Sequence, residues 1–106
     1  MLTWNQKQMT FEGLDALRRL DGPKPRVVLV DNGSVDGTCE AVRAAYPEVE
    51  VLGLPENKGF CAANNRGAEL FLKDPSIEYV LFVNNDIDLE PDCVNRLVSF
   101  MDATPS

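Results

Sequence analysis

Two uninterrupted apolar runs, each followed directly by a polar cluster, constrain the fold of this chain more than any other feature. Residues 26–30 lead into the polar residues 31–34, and residues 79–83 lead into residues 84–86. Apolar runs without polar alternation are typical of parallel strands that are covered on both faces. Because helical patterns lie between these runs, the sequence predicts a three-layer α/β/α sandwich with a mainly parallel, Rossmann-like sheet.

Helical periodicity accounts for most of the remaining chain. We predict helices over residues 6–20, 36–46, 60–73 and from residue 90 onward, and a further strand over residues 49–52. The predicted inner faces of the last two helices carry Phe60, Ala63, Gly67 and Phe71, and then Val94, Leu97, Val98 and Met101. A chain of 106 residues can bury one core, so we expect a single domain over residues 1–106.

Composition narrows the classes of function. The net charge of −7, from 17 acidic and 10 basic residues, argues against a nucleic-acid binder, whose binding surface would be basic. Three cysteines without a Cys-x-x-Cys pair, in a chain with no histidine, argue against a zinc site. Free thiols indicate a reducing compartment, and no apolar run approaches the roughly 20 residues of a membrane span. We therefore expect a cytoplasmic protein, either free or peripheral at the inner face of the membrane.

The polar clusters lie at the carboxyl ends of predicted parallel strands, which is where α/β sheets bind ligands. After the second run, Asn84 and Asn85 precede Asp86 and Asp88. Carboxylates at a strand end suit Mg²⁺ or Mn²⁺, which prefer oxygen ligands and need only one or two protein carboxylates beside a diphosphate. A simpler interpretation is an acidic turn that complements the dipole of the next helix, and the cluster taken alone favours it.

Two loops offer further candidate contacts. Asp31 leaves a buried strand and can accept hydrogen bonds from a base or a ribose, as acidic residues do in other nucleotide folds. Gly33 permits a tight turn, and Ser34 or Asp36 can cap the next helix. The glycine before the helix at residue 60 lets a phosphate approach, although an ordinary helix start explains it nearly as well. Neither a P-loop nor a G-x-G-x-x-G motif occurs.

Four segments, taken in order, resemble the nucleotide-binding half of family 2 glycosyltransferases of the GT-A fold. They are Leu-Thr-Trp-Asn at residues 2–5, Val-Asp-Asn-Gly-Ser-Val-Asp-Gly-Thr at 30–38, Glu-Asn-Lys-Gly-Phe-Cys-Ala-Ala-Asn-Asn-Arg-Gly at 56–67, and Phe-Val-Asn-Asn-Asp-Ile-Asp-Leu-Glu-Pro-Asp at 82–92. The second segment matches the family pattern V-D-N-G-S-x-D-G-T almost letter for letter. The fourth resembles the strand that carries the D-x-D motif, and its Asn-Asn-Asp form looks most like the rhamnosyltransferase-type branch.

The resemblance implies a nucleotide pocket with named residues. Thr3 and Asn5 would line the base, with Asp31 holding uracil or thymine and the ribose. Gly59 and Asn65 would flank the nucleotide. The implied ligand is therefore a UDP- or dTDP-linked sugar.

The resemblance also implies a metal site at the D-x-D position. Asp86 would coordinate Mg²⁺ or Mn²⁺ and hold the diphosphate, with Asn84 and Asn85 beside the nucleotide. Asn84 stands where the family often has the first aspartate, which weakens a two-carboxylate site and leaves Asp88 as an auxiliary ligand. The metal would stabilise the charge that develops on the leaving diphosphate.

Part of the family architecture is expected to lie outside these residues, so we expect a truncated domain. The family's first strand would precede Leu2, and the half with the acceptor site and the general base would follow Ser106. No residue is assigned as catalytic base, and we expect no transfer by this chain alone to the implied saccharide or lipid-linked acceptor. A first strand shortened to residues 1–4 leaves sheet edge exposed, so we expect a homodimer or larger assembly, with a monomer as the alternative.

Two alternatives to glycosyl transfer remain open from sequence. A nucleotidyltransferase shares this type of fold, but it would be expected to carry a glycine- and arginine-rich first loop, and none is visible. A non-catalytic nucleotide-binding or interaction module would bind the nucleotide without an acceptor half. Titration with UDP and dTDP, with and without Mn²⁺, discriminates among these functions.

Overall fold

The computed structural model describes residues 1–86 and 88–103. The elements in chain order are β1 (Leu2–Thr3), α1 (Lys7–Arg18), β2 (Val28–Asp31), α2 (Thr38–Ala45), β3 (Glu50–Gly53), α3 (Phe60–Leu72) and α4 (Cys93–Ala103). All four predicted helices are present. Within the two described ranges, no helix is long and apolar enough to cross a membrane.

The sheet is parallel, with the strand order β1-β2-β3. Leu2 on β1 pairs with Val30 on β2, and Val28 on β2 pairs with Glu50 on β3. All residues of the central strand β2 are buried, as an uninterrupted apolar run predicts. The parallel sheet packed against helices confirms the predicted α/β class.

Side chains of β2 alternate between two apolar clusters, one on each face of the sheet. Leu29 belongs to the cluster that α1 and α2 cover, which contains Leu14, Leu17, Leu20, Leu29, Val42, Tyr46 and Val49. The opposite cluster, toward α3, contains Val28, Val30, Leu54 and Ala63. This period of two explains how one apolar strand is buried on both faces.

The inner faces of α3 and α4 differ in part from the prediction. Ala63 and Gly67 are buried, as predicted, whereas Phe60 is 62% exposed. The prediction for Phe60 is wrong because α3 enters a buried cluster only at Ala63, and Phe60 belongs to neither cluster. In α4, Leu97 and Met101 are exposed where a buried stripe was predicted.

Residues 79–83 do not form the predicted buried strand. Phe82 is 58% exposed, and the three residues before it are also exposed. The bridge to the sheet comes one residue after the run, where Asn84 pairs in parallel with Leu2. Because β1 is only two residues long, residues 79–83 have no described strand beside them. An apolar, β-prone run adopts strand pairing only when a partner backbone is present.

Candidate functional site

The carboxyl ends of β1 and β2 meet the turn that follows residue 83 at one edge of the sheet. On one side of β1, Thr3 pairs with Asp31 of β2, and on the opposite side Leu2 pairs with Asn84. Because parallel strands end at the same edge, the polar clusters after β2 and after residue 83 are brought together. We call this edge, with the loops that follow β2 and β3, the site edge.

Asp31 anchors the loop that follows β2. Its side chain is 1% exposed. Its Oδ1 accepts a hydrogen bond from the Ser34 amide over 2.7 Å, and its Oδ2 accepts one from the Cys39 thiol over 3.0 Å. Burial, together with the bond to Asp31, raises the pKa of Cys39 to about 12. Asp31 therefore holds its own loop, and its predicted contact with a base stays a prediction.

Asn5 joins the loop after β1 to the loop after β2. Its backbone amide donates to Ser34 Oγ over 2.8 Å, and its Oδ1 accepts from the Val35 amide over 2.8 Å. The residue has a φ of 52°, in the left-handed region that asparagine tolerates better than most residues. Asn5 is exposed and lies at the site edge, next to the loop that Asp31 anchors.

Asn32 joins the loop after β2 to the loop before α3. Its Oδ1 accepts from the Lys58 amide over 2.7 Å, and its Nδ2 donates to Asn57 Oδ1 over 3.1 Å. Asn57 Oδ1 also accepts from the Gly59 amide over 2.8 Å. Sequence reasoning assigned no role to Asn32 or Asn57, although both lie inside segments that resemble the family. The pair fixes where α3 begins relative to the sheet.

The two loops are also in direct backbone contact at Gly33. A Cβ atom at this position would lie 2.7 Å from the carbonyl carbon of Glu56, and the φ of Gly33 is +87°. Both the space and the backbone conformation therefore require glycine. The predicted tight turn at Gly33 is confirmed.

A buried polar cluster lies beneath the turn that follows residue 83. Thr3 and Thr10 share a hydrogen bond of 2.6 Å between their Oγ1 atoms. Asn85 Nδ2 donates to Gln6 Oε1 over 3.0 Å and lies 3.4 Å from Thr10 Oγ1. Thr3 and Asn85 are both buried, and their side chains face one another. Their predicted roles at the nucleotide stay predictions.

Sequence reasoning missed Thr10 and Gln6. Thr10 precedes Leu14 and Leu17 by four and seven residues, so it occupies a position of the apolar stripe of α1 with a hydroxyl group. A polar residue at a stripe position is the signal that could have revealed the cluster, because a buried polar group requires a partner.

The other predicted site residues are on the surface. The exposed members of the predicted site are Asn5, Gly59, Asn65, Asn84, Asp86 and Asp88. Gly59 lies at the start of α3 with a φ of +85°, and Asn65 lies in the second turn of that helix. Asp86 directly follows the buried Asn85 and is exposed at the site edge.

The donor set at the site edge fits a hard divalent cation that is shared with a ligand. Among residues 1–86 and 88–103, no group of three or more Asp, Glu, Cys or His side chains is placed to hold a metal alone. Magnesium and manganese, however, are commonly held by one or two carboxylates, with phosphate oxygens and water completing the shell. Asp86 supplies one exposed carboxylate, and Asp88 supplies a second nearby in sequence.

The family is established by comparison with known proteins. A family model described as Glycosyl transferase family 2 matches residues 1–106. The chain belongs to glycosyltransferase family 2. Glycosyltransferase AglE of Haloferax volcanii is 32% identical over an alignment of 106 positions, and the match covers 95% of this chain and 34% of AglE.

Solved structures agree with the fold. Mannosyltransferase PcManGT from Pyrobaculum calidifontis, in complex with GDP-Man and Mn²⁺, matches with a TM-score of 0.79 and 28% identity, over 98% of this chain and 31% of that one. S. aureus TarS 1-349 in complex with UDP matches with a TM-score of 0.78 and 29% identity, over 96% and 30%. The predicted GT-A-type fold is confirmed, and the chain spans about a third of the length of these relatives.

Proposed function

We propose that this chain is the nucleotide-sugar-binding half of a glycosyltransferase, a single domain over residues 1–106. The observation that carries the proposal is the meeting of Asp31, Asn84 and the exposed Asp86 at one edge of a parallel sheet. The parent reaction would transfer a sugar to a saccharide or lipid-linked acceptor. The general base is expected outside these residues, because a base must reach the acceptor hydroxyl and residues 1–86 and 88–103 offer no candidate away from the nucleotide site.

The division between exposed and buried residues suggests how the site works. Exposed Asn5, Gly59, Asn65 and Asn84 would contact the nucleotide. Thr3, Asp31 and Asn85 are bonded internally, so they would act first by holding the loops in place. Asp31 would reach the base only after its loop moves.

The metal-binding role falls to Asp86, with Asp88 as an auxiliary ligand. Mg²⁺ or Mn²⁺ bound there would neutralise charge on the leaving diphosphate. The Mn²⁺ in the PcManGT complex supports this assignment. The net charge of −7 adds to the argument, because an acidic surface repels a free diphosphate unless a cation lies between them.

The deciding experiment compares nucleotide affinity with and without metal. UDP, dTDP and GDP are each titrated calorimetrically into the chain in Mn²⁺ and in EDTA. GDP is included because PcManGT binds GDP-Man, whereas TarS binds UDP. We expect Asp86→Ala to abolish the part of the affinity that depends on Mn²⁺ and to leave thermal unfolding unchanged, because Asp86 is exposed.

Two further variants make the result specific. Asp92→Ala removes another exposed carboxylate, which pairs with Arg96 at 3.8 Å, and we expect it to leave nucleotide affinity unchanged. Asp88→Ala tests the auxiliary role and should weaken the affinity less than Asp86→Ala does. Equal binding by the wild type and Asp86→Ala would refute the metal assignment.

The remaining proposals concern the context of the chain. The Asn-Asn-Asp sequence at residues 84–86 supports the rhamnosyltransferase-type branch, which competition among nucleotide sugars would test. Free cysteines support a cytoplasmic location, free or peripheral at the inner face of the membrane. The exposed apolar residues 79–82 support a homodimer, and sedimentation at micromolar concentration would contradict it by showing a clean monomer.

A further inference from the structure

We infer that Thr10 is a positioning residue for Asp86, acting through the buried side chain of Asn85. Thr10 is 0% exposed and lies in the first turn of α1, outside every segment that resembles the family. The inference rests on the proposed function, because it assigns to Thr10 the task of fixing the carboxylate that binds the metal.

The side-chain contacts tie the turn after residue 83 to α1. Asn85 Nδ2 donates to Gln6 Oε1 over 3.0 Å and lies 3.4 Å from Thr10 Oγ1. Thr10 is held in turn by its bond of 2.6 Å to Thr3 Oγ1 on β1. Asn85 Nδ2 also lies 3.5 Å from Thr3 Oγ1, so the amide group is oriented by side chains from both α1 and β1.

A second contact, between backbones, places α1 against the same turn. A Cβ atom on Gly13 would lie 2.9 Å from the carbonyl oxygen of Asn85. Gly13 lies three residues after Thr10, so both face the same side of α1. The helix thus fixes Asn85 by its backbone as well as by its side chain.

The geometry makes the position of Asp86 depend on α1. Asp86 is joined to Asn85 by one peptide bond and is itself exposed. Removing a side chain that holds the residue next to a metal ligand weakens metal affinity, because the ligand is then misplaced. Partners outside the coordination shell commonly contribute 10- to 100-fold in metal affinity. Because Thr10 acts one residue away from the carboxylate, the effect belongs at the lower end of that range.

The test measures the affinity of UDP and of GDP in Mn²⁺ and in EDTA. Thr10→Val, which keeps the shape but removes the hydroxyl, and Gln6→Met, which removes the acceptor from an exposed residue, each weaken the Mn²⁺-dependent affinity about tenfold. Thr10→Ser keeps the hydroxyl and retains affinity near the wild-type value. Affinity in EDTA stays unchanged in all three variants.

A matched control separates positioning from general loss of stability. Thr38 is also buried, and its hydroxyl donates to Asp36 Oδ1 rather than toward Asn85. Thr38→Val lowers the melting temperature but leaves Mn²⁺-dependent affinity unchanged. In an Asp86→Ala background, Thr10→Val has no further effect on affinity.

Two results overturn the inference alone. The first is wild-type Mn²⁺-dependent affinity in a folded Thr10→Val variant. The second is an effect of Thr10→Val on affinity that persists in the Asp86→Ala background. If Thr10→Val does not fold, Gln6→Met decides, because Gln6 is exposed. Absence of Mn²⁺-dependent binding in the wild type would overturn the proposed function and this inference together.

Discussion

Replacing Gly67 by alanine tests the packing of α3 on the sheet. A Cβ atom at this position would lie 2.6 Å from Cγ2 of Val30. Carbon atoms pack best at about 3.5–4.0 Å, so the new methyl group would overlap the valine by about 1 Å. Val30 is buried and β-branched, so it has few other rotamers available. Overpacking of this kind destabilises a core by about 1–3 kcal/mol.

The helix propensity of alanine opposes this loss. Alanine is more favourable than glycine inside a helix by about 1 kcal/mol. The net change expected for Gly67→Ala is therefore a destabilisation of about 0–2 kcal/mol, which lowers the melting temperature by about 4–8 °C for each kcal/mol in a domain of this size. Chemical denaturation and thermal melting followed by circular dichroism measure both quantities.

An exposed position on the same helix isolates the propensity. Asn65 is exposed inside α3, so the difference between Asn65→Ala and Asn65→Gly gives the alanine preference without a clash. We subtract that difference from the change in unfolding free energy caused by Gly67→Ala. The remainder is the free-energy cost of the clash, expected at about 1–3 kcal/mol. In a Val30→Ala background the clash should disappear. The close contact would be refuted if Gly67→Ala stabilised the protein by as much as the difference between Asn65→Ala and Asn65→Gly.

Two further predictions follow from the pKa values of single groups. Cys61 is exposed, whereas burial and the bond to Asp31 raise the pKa of Cys39 to about 12. Iodoacetamide at pH 8 should therefore alkylate Cys61 well before Cys39. Equal rates of alkylation, measured by mass spectrometry, would contradict this. The Arg18 guanidinium lowers the pKa of Glu48 to about 2, below its unfolded value of 4.5. The stabilisation from this ion pair is therefore fully present above pH 4.5 and is lost as the pH falls toward 2. Carbon-detected NMR titration, with Glu48→Gln for assignment, should show this; a midpoint near 4.5 would rule out the ion pair.

The sequence predicted the features of the fold that depend on local pattern. The apolar stretch at residues 26–30 and the stop signals around it predicted β2 correctly, because an unbroken apolar run is typical of a strand that is covered on both faces. The helices follow from a period of 3.6 residues. The prediction failed at residues 79–83, whose pattern is as apolar as that of β2. Strand pairing there depends on the neighbouring backbone, and the residues of the run carry no information about it.

The convergence of the two polar clusters at one edge of the sheet was predicted, but the orientation of their side chains was not. Strand ends in a parallel sheet must converge, so Asp31 and Asn84 could be placed at one edge from topology alone. Whether a polar side chain faces the ligand or the interior depends on partners distant in sequence. Thr3 is turned inward by Thr10 on the next helix, and no motif shows that partner.

The carboxylate of Asp31 holds its own loop without using all of its acceptor positions. A carboxylate offers about four acceptor positions, and Asp31 uses one on each oxygen, for Ser34 and Cys39. Its 1% exposure, rather than a lack of acceptor positions, is therefore what separates it from a ligand. The loop above it is held to β1 by the exposed Asn5, through two hydrogen bonds of 2.8 Å. Such bonds each contribute about 0.5–1.5 kcal/mol, so breaking both costs about 1–3 kcal/mol, which is comparable to the roughly 1.5–3 kcal/mol that one hydrogen bond from a nucleotide to the carboxylate would return.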